Sequence, residues 1–315
     1  MENSYRIAYL ISAYKDPLHL KRLCEVLSYN MSKVHFFIHI DKKVDITPFV
    51  NLVKGSNIHY VANRYWSNWG GANQVLYQKE MLRCALAFQT GDFKFDRFVI
   101  MTGQDYPLMS NLDLCKLFSD PNRKFMIGEN LTKDCHDEKY MERITLYHFL
   151  RDIHVRNVKL KQFFSYSARK IMRLLPIRKG KWFMVRGKRW DVYYASSYMD
   201  LSNEAATLIY DELCNNKALY RYFRFSNTPE ETVIPTIVFN TKLSKKATLL
   251  PSWKRGLIRV SNLEQFDYGK SIKIYTEDDY EELINCRKPF ARKLETGKSD
   301  KLMDLLDIHN GIAKH

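Results

Sequence analysis

The sequence lacks the features that mark several common classes of protein. None of its six cysteines belongs to a CxxC pair or shows zinc-type spacing, which argues against a zinc finger or a disulfide framework. The nine histidines show no metal-ligand spacing either. No apolar run approaches the roughly 20 residues that span a bilayer, and the N-terminus shows no signal-peptide pattern. We therefore expect free thiols and a cytoplasmic protein, soluble or peripheral on the inner face of the membrane.

Acidic residues are scarce in one long segment. The chain carries a net charge of +15, and residues 153–190 contain twelve Lys or Arg and no Asp or Glu. Within this segment one helical face would carry apolar side chains, namely Leu160, Phe164, Ile171 and Leu175. A basic amphipathic helix is typical of a membrane surface or of a face over an acidic ligand. The alternative is a surface helix that packs by its apolar stripe and leaves its lysines in water.

Apolar runs that alternate with a helical pattern indicate an α/β fold. Residues 6–12, 34–40 and 58–61 read as buried strands, and a helix is predicted over 18–29. A strand, a helix and a strand at this spacing form a βαβ unit, which favours a parallel sheet covered by helices. A further helix is predicted over 72–88, after the aromatic and glycine-rich turn WSNWGG.

The stretch RFVIMTGQDYPLMS, residues 97–110, combines a strand with a polar loop. Phe98 to Met101 has the length and apolar content of a buried strand, Gly103 breaks it, and Asp105 follows. Ser110 is placed to cap a helix that begins near residue 112. Ligands of open α/β sheets bind beyond the carboxyl ends of the strands, so Asp105 is a candidate site residue. Its alternative role is that of a turn or cap residue.

Seven short stretches together resemble the core-2/I-branching family of glycosyltransferases, which includes the peptide xylosyltransferases. They are IAYLISAYKDP (7–17), IHIDKK (38–43), WGG (69–71), TGQDYPL (102–108), ASSYMDLS (195–202), TPEE (228–231) and FARKL (290–294). The resemblance implies a GT-A-like α/β/α sandwich with a mostly parallel central sheet. It also implies an inverting transfer from a UDP-sugar, with N-acetylglucosamine or xylose as the expected sugar. We expect one domain, with a nucleotide-binding half at about 1–130 and an acceptor and catalytic half at about 131–315.

The family's general base is the second acid of its Pro-acid-Glu motif, which matches Glu231. The same residues also fit a capping box, with Thr228 at the N-cap, Pro229 at N1 and Glu231 at N3. With the resemblance, we favour Glu231 as the base that takes the proton of the acceptor hydroxyl. Glu230 is the alternative acid and a candidate contact of the sugar.

The resemblance also suggests how UDP is held without a metal. The family lacks the Asp-x-Asp metal motif, and no Asp-x-Asp follows a predicted strand here, so we expect no metal and no cofactor. Basic side chains take the metal's role on the diphosphate in the family, and the matching positions are Lys270 and Lys293, with Arg292 beside Lys293 in the FARKL stretch. The nucleotide pocket is expected to involve three strand-end residues: Ser12, Ala13 and Asp41.

The acceptor side of the sequence departs from the best-known branching enzymes. Their acceptor-stacking Trp falls where this chain has Val260, and Trp253 is near but out of register. We therefore expect a glycan or lipid-linked glycan of a bacterial-type cell-surface pathway as acceptor, with Trp69 and Asp105 as candidate sugar contacts. Packing in the core is the alternative for Trp69. Two rival functions are a basic nucleic-acid-binding protein, which no motif supports, and a non-catalytic glycan-binding relative of the same fold.

Overall fold

The computed structural model describes residues 5–152, 158–269 and 271–312. Its strands are β1 (Ile7–Ala13), β2 (Val34–Ile40), β3 (Ile58–Tyr60), β4 (Arg97–Thr102), β5 (Asp105–Pro107), β6 (Met126–Asn130), β7 (Trp182–Val185), β8 (Lys188–Asp191), β9 (Tyr193–Ala195), β10 (Met199–Ser202), β11 (Ala247–Leu249), β12 (Glu264–Gln265) and β13 (Phe290–Arg292). Its helices are α1 (Pro17–Ser28), α2 (Thr47–Leu52), α3 (Asn73–Phe88), α4 (Asn111–Ser119), α5 (Leu131–Asp134), α6 (Glu138–Thr145), α7 (Val158–Leu174), α8 (Asn203–Asn215), α9 (Lys217–Phe223), α10 (Val233–Asn240), α11 (Tyr280–Asn285) and α12 (Asp300–His309). Short 3₁₀ turns connect several of them, including the turn Pro229–Glu231.

The central sheet has the order β10-β4-β1-β2-β3. The pairs β1–β2, β1–β4 and β2–β3 are parallel, and β10 joins the edge antiparallel to β4. Strand β1 is a nearly continuous apolar run because helices cover both faces of the sheet. Helices α1 and α12 pack on one face and α3, α8 and α10 on the other. The predicted α/β class, a GT-A-like sandwich with a mostly parallel sheet, is confirmed.

Most predicted elements occur close to their expected bounds. Strands β1 to β4 and helices α1 and α3 lie where the apolar patterns predict them. Ser110 caps α4, with its side chain accepting a hydrogen bond from the amide of Asp113. All six cysteines are free. The core on one face of the sheet combines Leu10 and Phe98 with Tyr140 and Val233, so residues from both expected halves pack together, and the division near residue 130 stays a prediction.

Two small sheets bring the C-terminal part of the chain to the central sheet. Strand β13 pairs antiparallel with β5, which places Arg292 opposite Asp105. Strand β12 joins β13 on its other side and contributes Glu264. The second small sheet has the order β11-β6-β9. The first of these sheets therefore builds one wall beside the carboxyl ends of β1 and β4.

Helix α7 occupies most of the basic segment, and residues 153–157 lie outside the described residues. The predicted apolar stripe faces solvent: Leu160 is 45% exposed, Phe164 49% and Ile171 57%. The alternative in which this stripe packs against the core is therefore wrong. Among residues 5–152, 158–269 and 271–312, no helix is both long and apolar enough to cross a bilayer.

Candidate active site

A cavity of about 360 Å³ opens where the carboxyl ends of β1, β2 and β4 converge. Its volume falls in the range of ligand pockets. The residues that line it are Ser12, Ala13, Tyr14, Asp41, Lys43, Ser67, Trp69, Gln74, Tyr77, Thr102, Gln104, Ser197, Tyr198, Glu230, Glu231, Leu257, Glu264, Phe266, Tyr268, Ile272 and Arg292. Seven of the candidate residues thus meet here: Ser12, Ala13, Asp41, Trp69, Glu230, Glu231 and Arg292.

The strand ends form the floor of this cavity. Asp41 donates its amide to the carbonyl of Ala13 over 2.9 Å, which ties the end of β2 to the end of β1. The Asp41 carboxylate accepts hydrogen bonds from the amides of Lys43, at 2.9 Å, and Ser67, at 3.2 Å. Asp41 therefore organises the turn after β2, and it still lines the cavity.

The two acids of the TPEE stretch lie on the 3₁₀ turn Pro229–Glu231. Thr228 has a left-handed backbone, with φ 52°, and its side chain makes no capping hydrogen bond to the turn. Its hydroxyl donates instead to the carbonyl of Asn227 over 2.8 Å. The capping-box alternative for Glu231 is therefore wrong, and both Glu230 and Glu231 line the cavity.

The two neighbouring acids have different electrostatic surroundings. The Oε2 atom of Glu231 lies 3.3 Å from the Nη1 atom of Arg143. Burial raises the pKa of Glu231 to about 7, although the charge of Arg143 opposes that rise. Burial, and then the charge of Glu231, raise the pKa of Glu230 well above its usual range. At neutral pH the pair therefore combines a protonated acid with one that exchanges its proton readily, an arrangement suited to acid–base chemistry.

A buried charge cluster closes the side of the cavity. The Nε atom of Arg292 lies 4.0 Å from Asp105 Oδ1, and its Nη1 atom lies 3.9 Å from Glu264 Oε2. Asp105 is fully buried and accepts hydrogen bonds from the amide and hydroxyl of Thr102, at 2.7 and 2.8 Å. The structure therefore does not place Asp105 on the cavity wall. It faces inward as a turn residue, and Arg292 and Glu264 reach the cavity in its place.

The cations predicted on the diphosphate are only partly brought together. Arg292 lines the cavity, whereas Lys293 does not; its Nζ atom lies 3.6 Å from Glu295 Oε1. Glu295 in turn accepts a hydrogen bond from Gln104, which does line the cavity. Lys270 lies outside the described residues. Lys43 lines the cavity as well and was missed by the sequence analysis, although it is the last residue of the IHIDKK stretch.

Trp69 stands at the rim of the cavity and is 68% exposed. Its alternative role in core packing is therefore wrong. Gly70, with φ 71°, follows it and accepts a hydrogen bond from the amide of Thr228 over 3.1 Å. An added Cβ at Gly70 would lie 2.5 Å from the side-chain oxygen of Asn227. This close approach explains the glycine and holds Trp69 next to the turn that carries Glu230 and Glu231.

Two residues considered for the acceptor side, Val260 and Trp253, lie away from the cavity. Val260 is fully buried, and Trp253 packs on the ring of Tyr140 at 4.8 Å. Neither lines the cavity, whereas Leu257, Phe266 and Tyr268 do. Arg143 and Glu264 were also missed by the sequence analysis, because neither lies in one of the recognisable stretches. Their roles depend on contacts between distant parts of the chain.

Within residues 5–152, 158–269 and 271–312, no group of three or more His, Cys, Asp or Glu side chains is arranged to hold a metal ion. The family model described as Core-2/I-Branching enzyme matches residues 7–256 of this chain. That match includes the strand ends, Trp69 and the Glu230–Glu231 turn. A search of curated proteins found no match.

Proposed function

Because this chain belongs to the core-2/I-branching family of glycosyltransferases, we propose that it transfers a sugar with inversion from a UDP-sugar to a hydroxyl of a glycan or glycoconjugate acceptor. The sugars proposed are N-acetylglucosamine and xylose. The observation that carries the proposal is the cavity at the strand ends, into which Glu231 projects with its pKa raised to about 7. A nucleotide-sugar would lie against the strand ends, and the acceptor hydroxyl would approach Glu231.

In this mechanism Glu231 acts as the general base. Inverting transfer needs a group that takes the proton of the acceptor hydroxyl as the new bond forms. An ionised Glu231 supplies that group, and Arg143, 3.3 Å away, favours its ionised form. Glu230 stays protonated and can donate a hydrogen bond to a sugar oxygen. The proton passes from the acceptor to Glu231, and the bond between the anomeric carbon and UDP breaks.

The leaving UDP carries negative charge, which positive groups must stabilise. Among the described residues, Lys43 and Arg292 are the cations on the cavity wall, and Lys293 lies one residue beyond Arg292. We propose that these side chains, together with Lys270, take the place of a metal ion on the diphosphate. The nucleoside would contact the strand ends at Ser12, Ala13 and Asp41.

Binding of UDP without metal is the first expected result. UDP should raise the melting temperature equally in EDTA and in Mn²⁺, because a ligand that binds the native state stabilises it by mass action. A stabilisation that EDTA abolishes and Mn²⁺ restores would contradict metal independence.

Oligonucleotide binding without any response to UDP would favour the nucleic-acid rival. UDP binding without hydrolysis of any UDP-sugar would favour the non-catalytic relative.

The pH dependence of turnover should report the ionisation of Glu231. Its pKa is raised to about 7, and only the ionised form accepts a proton, so the rate should rise with pH and level off above about pH 8. Below about pH 6 the rate should fall about tenfold per pH unit. Arg143→Gln should move this limb to higher pH, because the charge of Arg143 lowers the pKa of Glu231. A limb near pH 4.5 that Arg143→Gln leaves in place would contradict the assignment.

We also propose a peripheral contact of α7 with an anionic membrane, on its cytoplasmic face. The observation behind it is that Leu160, Phe164 and Ile171 face solvent. The exposed Lys159 and Lys170 lie on the same helix. Apolar side chains beside cations are the combination that anionic lipid surfaces attract.

Sedimentation with vesicles tests this contact. Replacing Lys159 and Lys170 with Gln should weaken binding to vesicles that contain anionic lipid about 30-fold, since each cation near such a surface contributes about 1 kcal/mol. The matched control replaces the exposed Lys54 and Lys94 with Gln and should bind normally. Equal recovery on neutral and anionic vesicles would contradict the proposal.

A further inference from the structure

A second cavity, of about 290 Å³, lies on the other side of Trp69. Trp69 lines both this cavity and the active-site cavity. Arg143, the ion-pair partner of Glu231, also lines this second cavity, so the second cavity adjoins the candidate active site. Six cations line it: Lys139, Arg143, Arg151, Arg169, Arg173 and Arg255. We call this second cavity the basic cleft.

Three of these cations have carboxylate partners. Arg143 pairs with Glu231, Arg173 with Glu142, and Arg255 with Asp137. No carboxylate of the described residues lies within ion-pair distance of Lys139, Arg151 or Arg169, and the undescribed residues 153–157 contain no acid. Among the described residues, the basic cleft therefore keeps three positive charges that no carboxylate pairs directly.

Arg151 lies in the least favourable position of these cations, because it is partly buried next to other positive charges. It is half-buried, and its guanidinium carbon lies 6.0 Å from the centre of the Trp69 ring. Burial lowers the pKa of Arg151, and the charges of Arg169 and Arg143 lower it further, although Glu230 and Asp152 oppose that shift. Arginine nevertheless stays charged. Concentrating guanidinium groups in a partly buried cleft is unfavourable unless an anion compensates them.

Helix α7 contributes its inward face to this cleft. Arg169 and Arg173 are four residues apart and share one side of the helix, whereas Leu160, Phe164 and Ile171 share the opposite side. Met172, on the inward side, is buried. Arg169 and Arg173, two cations of the basic segment, therefore face the cleft.

Trp69 and the pair Arg143–Glu231 lie between the basic cleft and the active-site cavity. Arg143 contacts the Glu231 carboxylate, and Trp69 lines both cavities. A sugar whose hydroxyl reaches Glu231 would therefore place a neighbouring substituent beside Arg151 and Arg169. At about 290 Å³ the cleft suits one anionic group of a sugar.

We propose that the basic cleft binds an anionic group of the acceptor, so that the acceptor sugar carries a phosphate or a carboxylate next to the hydroxyl that is glycosylated. This inference rests on the proposed function, since it assigns the acceptor of that same reaction. Guanidinium groups form two parallel hydrogen bonds with either anion. The acceptor is thus a sugar phosphate, as in a lipid-linked glycan, or a uronic acid.

The test compares the binding of charged and neutral sugars by calorimetry. The probes are a hexose 1-phosphate, a hexuronic acid and a neutral methyl hexoside. At least one anionic sugar should bind wild-type protein about tenfold or more tightly than the methyl hexoside, because hydrogen bonds to charged groups are the stronger ones. The preferred anion then identifies whether phosphate or carboxylate is read.

Two variants locate the binding. Arg151→Gln and Arg169→Gln should each remove most of the preference for the anionic sugar. The matched control Arg221→Gln replaces an exposed arginine of α9, outside both cavities, and should keep it. Equal affinity of charged and neutral sugars, or a preference that survives in both cleft variants, would overturn the proposal.

UDP binding, measured on the same wild-type protein, separates the two proposals. Tight UDP binding with no preference for an anionic sugar would overturn the acceptor assignment and leave the glycosyltransferase mechanism in place. Anionic sugar binding in the cleft without UDP binding would overturn the UDP-sugar donor, and with it the role of the bound sugar as acceptor.

Discussion

Replacing Glu231 with Gln should lower the rate of sugar transfer about 100-fold or more while leaving UDP binding intact. General bases contribute about 10²- to 10⁴-fold to the reactions they assist. The Gln side chain keeps the shape of Glu231 and its contact distance to Arg143, but it cannot accept the acceptor's proton. The measurements are the turnover rate with saturating UDP-sugar and the UDP-induced shift in melting temperature.

The neighbouring acid provides the matched control for this variant. Glu230→Gln replaces a side chain that is already protonated at neutral pH, because burial and Glu231 raise its pKa. It should lower turnover far less than Glu231→Gln does. The melting temperature of Glu231→Gln should not fall. Burial raises the pKa of Glu231 in the unchanged protein, so its ionised carboxylate is disfavoured in the folded state. Near-normal turnover of Glu231→Gln, or a larger loss in Glu230→Gln, would contradict the assignment.

The second large effect is expected at Arg292. Arg292→Met should lower the free energy of unfolding by about 3–5 kcal/mol, because it leaves the buried Asp105 carboxylate without its cation. Burial already raises the pKa of Asp105, and Arg292 opposes that rise. The pKa of Glu264 is raised well above its usual range by burial and by the charge of Asp105, so Glu264 is protonated at neutral pH, as Glu230 is. The loss of stability should therefore be greatest near neutral pH and smaller in acid, where protonated carboxyl groups need no partner. Urea unfolding at two pH values measures it.

A double-mutant cycle separates this structural role from a role in UDP binding. If Arg292 mainly neutralises the buried Asp105, Arg292→Met combined with Asp105→Asn should be less destabilised than the sum of the two single changes. The double variant should still bind UDP poorly if Arg292 also contacts the diphosphate. Additive losses of stability would contradict the buried charge cluster, and unimpaired UDP binding would remove Arg292 from the donor site.

The sequence predicts the central sheet well because each of its parallel strands is a local pattern. Strands buried on both faces are nearly continuous apolar runs, and β1, β2 and β4 are such runs. Parallel strands then bring their carboxyl ends to one edge. For that reason Ser12, Ala13 and Asp41 could be expected in one place from the sequence alone.

The remaining parts of the site depend on contacts that no local pattern encodes. Asp105 follows a strand and a glycine, as site residues often do, but the hydrogen bonds from Thr102 turn it inward. Glu264 reaches the cavity only because β12 pairs with β13. Arg143 approaches Glu231 across a long sequence separation. The apolar stripe of α7 was visible in the sequence, whereas the side on which Arg169 and Arg173 would lie relative to the protein body was not.

The pairing of β13 with β5 sets an order in which the site can be assembled. During synthesis β1 to β4 and their helices emerge early, since all of them lie within the first 102 residues. The pairing of Asp105 with Arg292 can form only later, because Arg292 is the last residue of the cavity lining to be synthesised. Closing so long a loop is entropically costly and slow. The nascent chain should therefore hold a folded sheet with an unfinished cavity, and nucleotide binding should begin only after the C-terminal strands have left the ribosome.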